Sequence, residues 1–128
     1  MKYIKIILAV AILFSIRACK DKTSPASSDI IFPTSDVTYS NHVGPLFQQT
    51  CALSGCHTSG GQKPNLEYPA SYSNLLDYII IGEPDKSMLV LRIDGTLPPQ
   101  MPPSDVATLT KNQIDGVKTW IKEGIKPN

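Results

Sequence analysis

The sequence is short of surplus charge, of histidine and cysteine, and of any apolar run long enough to cross a bilayer. Charged residues make up 18% of the 128, with 12 Lys and Arg against 11 Asp and Glu. That balance leaves no electrostatic footprint for nucleic acid. The longest apolar stretch, Ile6–Ile16, falls short of the roughly 20 residues that a spanning helix needs. Internal repeats are missing, and there is little of the alternation that marks strands. No constellation of acids and bases suggests an enzyme. With 3 cysteines and 2 histidines in all, any metal or redox chemistry must be built from very few side chains.

Those few are unevenly placed. Lys2 and Lys5 precede the apolar run Ile6–Ile16, and Ala18 and Cys19 follow it. This order of charged, apolar and small residues is that of an export signal, so residues 1–18 are expected to be removed. Losing Lys2, Lys5 and Arg17 leaves nine basic against eleven acidic residues, a charge of about −2. The stretch Ile16-Arg17-Ala18-Cys19 resembles the lipobox of bacterial lipoproteins, although Arg17 departs from its usual small or uncharged residue. The resemblance implies lipidation at Cys19 and attachment to a membrane through acyl chains. Lys20-Asp21-Lys22 is similar to export signals of some surface lipoproteins. Residues 19–36, rich in Ser, Thr, Asp and Pro, read as a flexible tether. The alternative is an extension lying on the domain, with Ile30-Ile31-Phe32 docked.

The domain is expected over 37–128. Val43, Leu46, Phe47 and Thr50-Cys51 recur at helical spacing, with Asn41 or His42 at the start and Pro45 in the first turn, where its missing N–H has no partner to lose. Ser71 or Ser73 is placed to cap a second helix over Asn74–Ile81, stopped by Gly82 and Pro84. Asp85 is placed to cap a third over Lys86–Ile93, ended by Gly95. The segment from Leu97 to Pro103 holds too many prolines for a helix or a central strand. Thr110 and Gln113 form a capping box for a last helix, where Ile114, Val117, Ile121 and Ile125 make an apolar stripe flanked by Trp120. The fold class is all-α: about four short helices with long proline-rich loops.

The chemistry concentrates in Cys51-Ala52-Leu53-Ser54-Gly55-Cys56-His57. Two thiols with an imidazole beside the second are what covalent haem attachment requires. The common spacing between such cysteines is shorter, and Gly55 with the small Ala52 and Ser54 lets the additional residues loop outward. A Cys51–Cys56 disulfide suits an exported chain equally. A zinc site would need a fourth ligand, from His42 or a carboxylate. The cluster by itself leaves all three chemistries open.

The remainder of the domain resembles the class I c-type cytochrome domain, above all its short forms in planctomycete and related bacterial sequences. The resemblance covers about residues 37–126. It rests on the order of Val43-Gly44-Pro45-Leu46-Phe47, Pro64-Asn65-Leu66, Ser87-Met88-Leu89, Arg92-Ile93-Asp94-Gly95, Met101-Pro102-Pro103 and Trp120-Ile121-Lys122-Glu123-Gly124. It implies one haem c in thioether linkage to Cys51 and Cys56, with His57 as proximal and Met101 as distal iron ligand. It further implies a Pro64 carbonyl orienting the His57 ring, Leu66 packed on the haem, and Trp120 in contact with the Val43–Phe47 helix. Met88, in the apolar run Met88-Leu89-Val90-Leu91, reads better as core filler than as ligand. Arg92 is a candidate partner for a haem propionate or a solvent-facing helical residue.

The expectation is therefore a monomeric electron carrier, not an enzyme, tethered by its lipid at the cell envelope. It would face the periplasm or the cell surface and exchange single electrons with redox partner proteins. Two other functions stand beside it. One is a haem enzyme or sensor for small ligands, which needs an open sixth position. The other is a haem-free, disulfide-stabilised lipoprotein that acts as an interaction module.

Overall fold

The computed structural model describes residues 30–128. The expected signal segment 1–18, the expected lipidation at Cys19 and the part of the expected tether up to residue 29 fall outside the described residues. Among the described residues the chain is helical and has no strand, and no helix is long and apolar enough to cross a membrane. A π-helical turn, Tyr39–Val43, runs into α1, Gly44–Thr50. Then come α2, Ser71–Leu75, extended by a 3-10 turn Leu76–Tyr78; a second 3-10 turn, Pro84–Lys86; α3, Met88–Ile93; and α4, Lys111–Lys122.

The longest element, α4, starts at the capping box. The Thr110 hydroxyl accepts the Gln113 N–H at 3.2 Å and the Gln113 amide oxygen accepts the Thr110 N–H at 2.9 Å, so two orphan donors are satisfied reciprocally. Its buried face is Gln113, Gly116, Val117, Trp120 and Ile121, while Ile114 is only half-buried. The apolar stripe is thus rotated from the expected one, with Trp120 at its centre and not at its flank.

Trp120 packs with Tyr39 and Tyr72, the ring centroids lying 5.2 to 6.2 Å apart. These separations suit edge-to-face contacts. The polar tips reach the returning chain: Trp120 Nε1 donates to the Lys126 carbonyl at 3.0 Å and the Tyr72 hydroxyl to that of Ile125 at 2.9 Å. Gly124 and Ile125 both hold positive φ, 92° and 54°, which turns the chain back after α4. The Lys126 and Pro127 carbonyls then accept the N–H groups of Tyr39 and Ser40 at 2.9 and 3.0 Å.

Residues 30–36, expected as tether, lie on the domain, so the described domain reaches back before the expected start at 37. Phe32 is 3% exposed, and its ring fills the place that a Cβ on Gly116 would take, 2.1 Å from Phe32 Cδ1. The Asn112 side chain closes a two-way clasp on the Phe32 backbone, accepting its N–H at 2.8 Å and donating to its carbonyl at 3.1 Å. Asp36, at φ 57°, bends the strand-like segment so that its own N–H and that of Val37 both reach the Glu123 carboxylate, at 2.9 and 3.0 Å.

Two helix starts differ from expectation because the expected caps are engaged elsewhere. Ser71 is buried and its hydroxyl pairs with that of Tyr39, so α2 begins at Ser71 itself. Asp85 sits in the 3-10 turn with its carboxylate on Lys118 at 2.9 Å. Ser87, fully buried, accepts the Ile80 N–H at 2.9 Å and donates to the Glu83 carbonyl at 3.0 Å, stapling the connection that precedes α3.

Candidate functional site

The last turn of α1 delivers Cys51, whose N–H still bonds to the Phe47 carbonyl at 2.9 Å. The chain then leaves the helix and returns on itself. Cys56 N–H bonds to the Leu53 carbonyl at 2.9 Å across Gly55, at φ 79°, a left-handed position that suits glycine. His57 N–H closes the excursion on the Cys51 carbonyl at 3.1 Å. The longer spacer is thereby looped outward, Ser54 and Gly55 exposed, while Cys51, Cys56 and His57 stay together. The next loop folds over them, with Gln62 N–H on the Cys56 carbonyl at 2.7 Å and Leu66 N–H on that of His57 at 2.8 Å. Gly61 passes so close that a Cβ there would lie 2.2 Å from the Cys56 carbonyl oxygen.

His57 Nδ1 lies 2.9 Å from the Pro64 carbonyl oxygen. A carbonyl only accepts, so Nδ1 carries the proton and Nε2 is left with its lone pair free for a ligand. This is the arrangement that orients a metal-binding histidine.

Cys51, Cys56, His57, Pro64, Leu66 and Met101 all line one cavity of about 490 Å³. That volume falls within the roughly 300–1,000 Å³ of small-molecule and cofactor sites. Phe47, Leu75, Leu89 and Ile93 supply apolar wall, and Lys63 and Arg92 are its cationic side chains. Met101 is half-buried between exposed Gln100 and buried Pro102. Met88 is not core filler: it is 42% exposed and stands on the cavity wall, while Val90 and Ile93 of the same helix are buried in the core.

Both thiols are free. Burial pushes the Cys51 thiol up to about 11, against the opposing pull of the Thr50 hydroxyl 3.3 Å from its sulfur. It is therefore protonated at neutral pH, whereas Cys56 is only half-buried. His42 is elsewhere. It accepts the Thr38 N–H on Nδ1 at 3.1 Å and lies 5.9 Å from the Phe32 ring, away from the cavity lining. Among the described residues, no three His, Cys, Asp or Glu side chains gather closely enough to hold a metal ion. The donors that do meet are two thiols, one imidazole nitrogen and one thioether around an apolar space, a set that fits a covalently held haem.

Sequence reasoning did not single out Leu89 and Ile93 as cavity wall or Arg92 as a loop contact. The signal was present in the spacing of Met88, Leu89, Arg92 and Ile93, which fall on one face of a helix. No protein-family model, curated protein or solved structure matches the chain.

Proposed function

We propose that the protein is a monohaem c-type cytochrome that carries single electrons at the bacterial cell envelope. The observation that carries this reading is the meeting of Cys51, Cys56, His57 and Met101 on one apolar cavity, with His57 Nδ1 already bonded to Pro64. Cys51 and Cys56 would hold the haem through two thioether bonds, each formed by net addition of S–H across a vinyl double bond, with no other group leaving. When bound, the haem supplies a one-electron iron couple.

The protein's own residues set the terms of that couple. His57 offers Nε2, and the Pro64 bond keeps the ring from turning. Met101 offers a thioether, a ligand that raises the reduction potential of haem iron. An apolar wall around the iron would disfavour the oxidation state that carries more charge there. Cys19, as a lipidated residue, would tether the domain to the membrane within reach of redox partner proteins.

The test is expression with a cytochrome c maturation system, followed by a denaturing gel stained for haem. Wild type is expected to retain the stain, Cys51→Ala and Cys56→Ala each to weaken it, and the double variant to lose it. A wild-type band without haem, with Cys51 and Cys56 joined as a disulfide, overturns the proposal in favour of a haem-free module. Ready binding of cyanide or carbon monoxide by the wild type at neutral pH would place the protein among ligand-binding haem proteins instead.

A further inference from the structure

The segment that carries Met101 is poor in donors of its own. Pro98, Pro99, Pro102 and Pro103 have no N–H, so few backbone bonds are available to hold the loop in place. Three bonds tie it to α3. Leu97 N–H donates to the Leu91 carbonyl at 2.7 Å, Met101 N–H to the Arg92 carbonyl at 2.9 Å, and Arg92 Nη1 to the Pro99 carbonyl at 3.3 Å. Arg92 alone grips the loop with both backbone and side chain, on either side of Gln100. It forms none of the ion pairs found among the described residues, so no protein carboxylate there draws its guanidinium from the Pro99 carbonyl.

We infer that Arg92 is the positioning residue for Met101: its guanidinium, through the Pro99 carbonyl, holds the loop so that the thioether stays on the cavity wall. The inference rests on the reading of Met101 as the axial ligand. It gives the side chain a task that a surface arginine does not have, and one that any replacement of the side chain exposes. The backbone carbonyl of residue 92 survives substitution, so the variants isolate the guanidinium.

The full chain is compared as wild type, Arg92→Leu, Arg92→Lys and the control Lys118→Ala, which removes the two ion pairs from α4 to Asp85 and Asp94 but no bond to the loop. Two readouts are taken on the protein as purified. The first is hydrogen exchange at the Met101 amide, expected about tenfold faster in Arg92→Leu, less so in Arg92→Lys, and unchanged in the control. The second is the pH at which the thioether-to-ferric-iron absorption band disappears, expected to fall by about one unit in Arg92→Leu, the same tenfold, and to hold in the control. Arg92→Lys keeps the aliphatic stem and the charge, and so reports even where leucine impairs folding. Met101 exchange and band loss within twofold of wild type in both Arg92 variants overturn the inference. A wild type without covalent haem overturns the ligand reading instead, and the exchange measurement then decides alone whether Arg92 holds the loop.

Discussion

Cys51 and Cys56 line the same cavity but meet different solvent. Cys51, its thiol pushed up to about 11 by burial, offers little thiolate near neutrality. In chain expressed without cofactor, iodoacetamide at pH 8 is expected to label Cys56 well before Cys51, as read by peptide mass spectrometry. Equal rates would contradict the burial of Cys51. A second residue-scale consequence concerns Gly116, against which Phe32 lies where any side chain would go. Gly116→Ala is expected to cost about 1–3 kcal/mol in urea unfolding, through overpacking. The same change made in a Phe32→Ala background should cost much less, because the obstruction is gone. Neither partner announces the other in the sequence. Gly116 reads as a weak spot in a helix, and Phe32 lies in a stretch whose composition is that of a tether. Cys51, Cys56 and His57 could be read as one cluster because they lie within one short stretch of chain, and all three line the cavity.

At the scale of elements, Lys118 ties α4 to both ends of the α3 region, reaching Asp85 of the preceding 3-10 turn at 2.9 Å and Asp94, just past α3, at 3.4 Å. Burial works to raise the Asp94 carboxyl, but hydrogen bonds from Thr96 and Lys118 outweigh it and hold the group below its ordinary 3.8. A carboxyl lowered on folding contributes stability that is full above its unfolded value and fades as pH falls through the folded one. Asp94→Asn is therefore expected to flatten the decline of stability below about pH 4, measured by urea unfolding at several pH values. An acid limb identical to that of wild type would show that Asp94 takes no part. The capping box of α4 could be read directly, since Thr110 and Gln113 satisfy each other whatever surrounds them. The starts of α2 and α3 could not. Ser71 and Asp85 were the caps expected there, yet distant partners, the Tyr39 hydroxyl for one and Lys118 for the other, claim their side chains. At Ser71 local preference loses to a buried polar group that must find a partner.

For the whole molecule, the absence of strands among the described residues was legible from the missing alternation, and the cavity was legible only as a list of some lining residues. Its walls come from α1, the loop that follows, the α2 region, α3 and the Met101 segment, and no short window of sequence contains them together. For the start of the domain the sequence left two readings, a tether or a docked Ile30-Ile31-Phe32, and the burial of Phe32 agrees with the second. A chain that starts at residue 37 is expected to be less stable than one that starts at residue 30 by roughly 3 kcal/mol or more, the scale of losing a buried Phe. Equal unfolding midpoints would place the strap outside the cooperative unit. The clasp that forms this boundary joins residues far apart in the chain: Phe32 to Asn112, Asp36 to Glu123, Tyr39 to Lys126. Such contacts form late, since loop closure must precede them. The core therefore cannot close until the α4 segment has been made, and Cys51, Cys56 and His57 lie between the two halves of the clasp. Until the clasp shuts, the cysteine stretch lies in open chain, so the topology places the burial of Cys51 among the last events of folding.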